Sequence, residues 1–259
     1  MLADVEAALE RRPPDSTLIL LFDFDGTLAE FDLDPAAPVL TPERREWLTT
    51  VANGSGVSLG VVSGRRLDDL KRRTRLAPSV YHSGLHGLEI EIDNRRWQHP
   101  ELGEAHRHIR ELAVHLMQLA DRLPGSFVED KSASVAFHVR RIAPEKRGEM
   151  ILTAQREATA WIETGRVRPL LGDAVIEFLP NIRSHKGDAL KWIVADVEAR
   201  THCRSWVAFV GDDVTDEDAF RAIESGIGVL VGLRPTAATH QLGSIAEVDR
   251  LLRHLATRE

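Results

Sequence analysis

The 259-residue chain is 43% hydrophobic and 28% charged, with 18 glycines and 12 prolines, a balance that excludes collagen-like and disordered classes. Its 33 Lys and Arg against 40 Asp and Glu give a formal net charge of -7, which offers no broad basic face and argues against a nucleic-acid partner. The single cysteine, Cys203, has no disulfide or metal-binding companion in the chain, as expected in a reducing cytoplasm.

In chain order, residues 1–16 mix acids, bases and two prolines, and the apolar run that follows, Leu18 to Phe22, is too short for a membrane span or a signal core. A cytoplasmic protein without membrane contact is expected. LILLF before Asp23 and VSLGVV before Ser63 are runs without polar alternation, as are VAFV before Gly211 and IGVLV before Gly232; such runs suit strands covered on both faces. Thr41-Pro42 opens a helix, and Leu67 to Leu76 and Gly187 to Ala199 read as two more. From Glu104 the rhythm changes. Ile109, Leu112, Ala113, Leu116, Ala120 and Leu123 recur at helical spacing up to Pro124-Gly125, with Met117 assigned to the core. Phe127 to Lys131 and the alternating Ser134 to Arg140 form a strand pair, a helix spans Pro144 to Glu163, and a hairpin turns at Gly172-Asp173. The expected architecture is α/β, a Rossmann-like parallel-sheet core made of 1–103 and 181–259, with an αββαββ cap inserted at 104–180.

In parallel sheets, ligands bind at the carboxyl ends of strands. Asp23 and Asp25, two apart after the first strand, place two carboxylates on one side, and Gly26 lets the chain turn. Ser63-Gly64-Arg65 offers a hydroxyl and backbone N–H groups at a helix start. Lys186 opens another helix with a compact positive charge. Gly211-Asp212-Asp213, with Asp216 beyond, carries more acids than a helix cap needs. Asp23, Asp212, Lys186 and a phosphate dianion form a net negative collection that would not assemble in a low-dielectric cleft, and one divalent cation removes most of that excess. Oxygen donors without Cys or paired His select Mg²⁺ over zinc.

DFDGTL, SGR, a lone Lys opening a helix and GDD, in this order across the chain, resemble the haloacid dehalogenase superfamily. The strings GDDVTDEDAF, DFDGTLAEFDLDPAAP, GLHGLEIE and EDK followed by HVR resemble, within it, the trehalose-6-phosphate phosphatase family; Val139 departs from it, where many relatives carry an aromatic residue. The resemblance implies that Asp23 attacks phosphorus to form an aspartyl phosphate and that Asp25 acts as acid and then base. It implies Mg²⁺ held by Asp23, the Asp25 carbonyl and Asp212, with Asp213 and Asp216 behind them, and phosphoryl oxygens gripped by Ser63 and Lys186. It also implies trehalose 6-phosphate as substrate and leaves association with a trehalose-phosphate synthase open.

Strand parity supplies a sugar surface independently. With Val135, Phe137, Val139, Ile176 and Phe178 toward the cap helices, His138, Arg140 and Glu177 lie on the opposite face, joined by Glu129 and Lys131. This polar face suits hydroxyl recognition better than aromatic stacking. Gly64, Arg65 and His86, the last within Gly84-Leu85-His86-Gly87, complete the candidate substrate contacts. His106 and His108 are assigned to solvent, and Trp161 and Trp192 to the core. Two alternatives stand beside this reading: the same chemistry on another sugar phosphate, such as sucrose or glucosylglycerol phosphate, and a non-catalytic phosphate-binding regulatory module.

Overall fold

The computed structural model describes residues 1–30, 37–130, 133–172 and 174–257. It divides into two compact units, Met1–Gln98 with Ser184–Glu259, and His99–Arg183. The first contains α1 (Leu2–Glu10), β1 (Thr17–Phe22), α2 (Pro42–Ala52), β2 (Val57–Val62), α3 (Leu67–Thr74), β3 (Tyr81–Gly84), β4 (Glu89–Ile92) and β5 (Arg95–Gln98). The second contains α4 (Leu102–Arg122), β6 (Phe127–Asp130), β7 (Val135–His138), α5 (Pro144–Glu157), α6 (Thr159–Glu163), β8 (Val167–Gly172) and β9 (Val175–Pro180). The chain then returns to the first unit with α7 (Lys186–Thr201), β10 (Ser205–Gly211), α8 (Glu217–Ala222), β11 (Gly226–Val231), β12 (His240–Leu242) and α9 (Ile245–Thr257).

The first sheet has the order β12-β11-β10-β1-β2-β3-β4-β5. Pairing is parallel from β12 to β3, and β4 and β5 add an antiparallel edge. The unbroken apolar runs follow from burial on both faces. Leu18, Leu20 and Phe22 join a core with residues of α1, α2 and α9, while Ile19 and Leu21 join another with Ala189, Leu190, Ile193 and Val197 of α7. The strand order reverses between β1 and its neighbours β10 and β2, so three carboxyl ends meet in one crevice. Asp23, Ser63 and Asp212 each follow one of those strands directly.

The second sheet is antiparallel, in the order β6-β7-β9-β8. Val135, Phe137, Ile176 and Phe178 pack with Ile109, Leu112 and Leu116 of α4. The helix expected from Pro144 to Glu163 is interrupted at Ala158, which ends α5 and starts α6. Two other expectations fail. His108 is buried, between Glu104 and Glu111 at 3.5 and 3.4 Å, because α4 turns that position inward beside Ile109; Met117 is 43% exposed, one position round the helix from buried Leu116. Among the described residues no helix is long and apolar enough to cross a membrane.

Candidate active site

The crevice of the first unit is built around Lys186, the first residue of α7. Its ammonium is buried and donates to Asp23 Oδ1 at 2.5 Å and to Asp216 Oδ1 at 2.6 Å. Burial opposes that charge, and the two carboxylates more than offset it, raising the lysine above its ordinary range. Asp23 shows the converse. Burial pushes its carboxyl well up, Lys186 pulls it back, and Asp216 and Asp212 add to the rise. Asp212 is also raised, first by burial, against the hydrogen bond it accepts from Thr27 Oγ1 at 2.9 Å. Oxygens of Asp23, Asp212 and Asp216 lie within 4.8 Å of one another. Three carboxylates facing one ammonium leave excess negative charge, and their hard oxygens fit a divalent cation.

Asp216 sits closer to this centre than the sequence suggested. Its Oδ1 is taken by Lys186 and its Oδ2 accepts from the backbone N–H of Asp213 at 2.9 Å, so it braces both the lysine and the acidic loop. Asp213 itself is exposed and caps the turn through Val214 N–H at 2.7 Å.

Asp25 lies two residues past Asp23, where Gly26 takes φ +85° and donates to Ala29 O at 2.7 Å. Arg65 grips Asp25 with both arms, Nε to Oδ2 at 2.7 Å and Nη2 to Oδ1 at 2.6 Å. Sequence reasoning gave Arg65 to the substrate; here its fork holds the neighbouring acid. Ser63 is buried, and its Oγ accepts from Arg65 N–H at 3.1 Å. The turn after β3 is laced to this loop: Leu85 N–H donates to Arg65 O at 2.8 Å and His86 N–H to Ser63 O at 3.0 Å. Leu85 and His86 both hold left-handed φ values, 52° and 56°, a costly conformation for residues with a Cβ, maintained by those bonds. The His86 ring covers Gly64 so closely that a Cβ there would lie 2.6 Å from its Cε1 and Nε2.

The second unit carries the polar face expected from parity. Register sets Glu129 opposite Ala136, and Ala136 opposite Glu177. Glu129 bonds His138, Glu177 accepts from Ser134, and Arg140 reaches His138. Lys131 lies outside the described residues. The sequence reading passed over Ser134 as a participant, although it shares its parity with Ala136 and His138.

A family model for trehalose-phosphatase matches residues 21–244. The chain belongs to the trehalose-phosphatase family. Its similarity extends to the trehalose-phosphate phosphatase of Mycobacterium tuberculosis, 34% identical over 250 residues, covering 91% of this chain and 61% of the relative. The Mycobacterium marinum trehalose-phosphate phosphatase is 33% identical over 270 residues, covering 99% and 66%. This chain therefore spans about three fifths of the length of the curated relatives it matches. Aspergillus fumigatus trehalose-6-phosphate phosphatase shares the fold with TM-score 0.69 and 23% identity, covering 100% of this chain and 98% of that one. The C-terminal domain of Candida albicans trehalose-6-phosphate phosphatase does so with TM-score 0.72 and 22% identity, covering 98% and 96%.

Within this chain, two arginines without any sequence motif hold the site loops. Arg44 is buried, pairs through two nitrogens with Asp249 at 2.6 and 2.9 Å, and donates to Leu28 O at 3.1 Å, tying the Asp23–Leu28 turn to α9. Arg234 donates to Asp213 O at 2.7 Å and pairs with buried Glu217, which also accepts from Ala237 N–H at 2.7 Å and Thr236 Oγ1 at 2.8 Å. Burial pushes Glu217 up, and these hydrogen bonds outweigh it, so its carboxyl is held below its ordinary range. A depressed carboxylate contributes stability that is present above the ordinary glutamate pKa and lost as pH falls through the folded value. Arg234→Met is therefore expected to lower stability by about 1–3 kcal/mol at neutral pH, with the deficit shrinking in acid. Urea unfolding at the two pH values checks this; a deficit that stays constant from neutral to acid would contradict it.

Proposed function

We propose that the chain is a Mg²⁺-dependent phosphatase that converts trehalose 6-phosphate to trehalose and phosphate through an aspartyl phosphate. The observation that carries this reading is the buried Lys186 ammonium bridging Asp23 and Asp216 beside Asp212. Phosphoryl transfer requires positioned oxygens and compensated charge above all, and this cluster supplies both.

Asp23 and Asp212, with the backbone carbonyl of Asp25, would hold the cation, and Asp216 supports them. When bound, Mg²⁺ neutralises phosphoryl charge and keeps carboxylates ionised in a buried site. Lys186 fixes the rotation of the Asp23 carboxylate through Oδ1 and presents a positive charge to the phosphoryl oxygens, with Ser63 as hydroxyl partner. A carboxylate oxygen of Asp23 attacks phosphorus as the P–O bond to the sugar breaks, and Asp25 gives its proton to the departing sugar oxygen. Asp25 then takes a proton from water, whose oxygen attacks phosphorus and releases Asp23. Arg65 takes one lone pair on each oxygen of Asp25 and fixes the carboxyl's orientation, which leaves a second lone pair on each oxygen for the proton.

The unit 99–183 serves as a cap that reads the sugar, with Glu129, Lys131, Arg140 and Glu177 as its polar contacts; in the first unit, Gly64, Arg65 and His86 are the substrate-contact candidates at the strand ends. The exposed lone Cys203 suits a reducing cytoplasm. Phosphate release from trehalose 6-phosphate is expected to require Mg²⁺ and to stop with a chelator. Against sucrose and glucosylglycerol phosphates, kcat/KM is expected to favour trehalose 6-phosphate by about 10-fold or more, the value of one well-made hydrogen bond to a charged group. Faster turnover of either rival would overturn the substrate while leaving the phosphatase chemistry standing.

A further inference from the structure

We propose that His138 is a positioning residue that sets the Glu129 carboxylate for sugar recognition, acting as a neutral imidazole with its proton on Nε2. The inference rests on the sugar-binding reading of this face given above. Arg140 Nη2 lies 3.2 Å from His138 Nδ1. A guanidinium has donors only, so Nδ1 must accept, and the neutral ring carries its proton on the other nitrogen. That nitrogen, Nε2, lies 2.9 Å from Glu129 Oε2, an oxygen that accepts. One tautomer satisfies both contacts. A doubly protonated ring would turn an N–H against the guanidinium.

Burial and packing divide the roles between the two residues. His138 is 6% exposed, whereas the Glu129 side chain is 51% exposed. The imidazole is stacked on Phe127 at 4.5 Å with 8° between the planes, and Arg141 Cζ lies 5.1 Å from the Phe127 centroid on the same aromatic pair. The ring is thus held in place while the carboxylate it supports is presented to solvent.

The strand register explains why an imidazole does this. Glu129 and Glu177 flank Ala136, whose side chain ends at Cβ and supports neither. Each glutamate is instead anchored by the β7-side residue two positions from Ala136: His138 bonds Glu129, and Ser134 bonds Glu177. The result is two anchored carboxylates on one face of the sheet, on either side of buried Ala136, which offer acceptors to sugar hydroxyls.

The test compares His138→Phe, which keeps an aromatic ring for the Phe127 stack and removes both nitrogens, with His138→Gln, whose amide can still donate to Glu129. For trehalose 6-phosphate, His138→Phe is expected to raise KM about 10-fold or more with kcat within about threefold, and His138→Gln to recover most of that loss. The kcat/KM ratio of trehalose 6-phosphate to p-nitrophenyl phosphate should fall by the same factor in His138→Phe. A KM unchanged in His138→Phe, an equal rise in both variants, or an equal loss toward both substrates overturns the proposal. If the parent protein shows no preference for trehalose 6-phosphate over p-nitrophenyl phosphate, the substrate reading has failed, and the nitrogen spectrum of the ring decides the present inference separately. An Nε2–H tautomer at neutral pH that is lost in Arg140→Met supports it; an Nδ1–H tautomer or an imidazolium in the parent protein overturns it.

Discussion

Asp23→Asn is expected to lower turnover of trehalose 6-phosphate by on the order of 10⁴-fold or more, the scale seen when a covalent nucleophile is removed, while the folded chain stays at least as stable as the parent. The first half follows from chemistry, since an amide at this position supplies no anionic oxygen to attack phosphorus. The second half follows from the site. Burial raises the Asp23 carboxyl well above its ordinary range despite Lys186, and Asp216 and Asp212 add to the rise. A carboxyl whose folded pKa is raised subtracts stability as pH climbs from the ordinary aspartate pKa toward the folded value. Asparagine removes that subtraction and leaves the Lys186–Asp216 pair intact. Thermal unfolding in chelator should therefore give an equal or higher midpoint for the variant at neutral pH, with the advantage vanishing in acid. Turnover within about tenfold of the parent would remove Asp23 as nucleophile, and a large fall in the midpoint would refute the electrostatic account.

Lys186→Met should do the opposite to the fold and also damage catalysis. The methionine fills similar space, but Asp23 and Asp216, both buried, lose the ammonium they share. Breaking a buried ion pair by removing one partner costs about 3–5 kcal/mol when the other charge stays ionised. Asp23, already raised, can evade part of that cost by protonating, which makes the deficit depend on pH. In the parent, the lysine pKa is raised, so its contribution is fully present below the ordinary lysine pKa and constant through the neutral range. In the variant, Asp23 loses the ammonium that pulls its carboxyl back and rises further, so stability is lost as pH rises. The gap between the two proteins should widen as pH rises above the ordinary aspartate pKa toward the upper end of the neutral range, as read by urea unfolding in chelator. Turnover should fall about 10²–10³-fold, the value of one positioned donor to developing charge. A variant within about 1 kcal/mol of the parent at the upper pH would show that the triad is not electrostatically coupled.

The parallel core was legible because each strand is covered on both faces, which leaves unbroken runs such as Leu18–Phe22 in the sequence. Asp23, Ser63, Lys186 and Asp212 stood out because each immediately follows a strand or opens a helix. The polar face of the second unit was legible because β-strand side chains alternate, and the alternation of Val135, Ala136, Phe137 and His138 assigns each to a side. Those signals are local, carried by residues a few positions apart.

The rest is made of contacts across long stretches of chain. Arg65 lies 40 residues from the Asp25 it grips, and Arg44 lies 205 residues from its partner Asp249. Thr27 meets Asp212 across 185 residues. Periodicity cannot register such pairs, because a long flexible side chain finds its partner only after the strands fix where each loop ends. The sequence alone thus determined which acids, hydroxyl and ammonium stand at strand and helix ends, because burial and pleat leave their pattern in neighbouring residues. Only the tertiary structure decided which groups pair: that Asp216 shares the lysine with Asp23, that Arg65 holds Asp25, and that His138 rather than a neighbour steadies Glu129. Pairing energies depend on distance and burial, and both are set by packing.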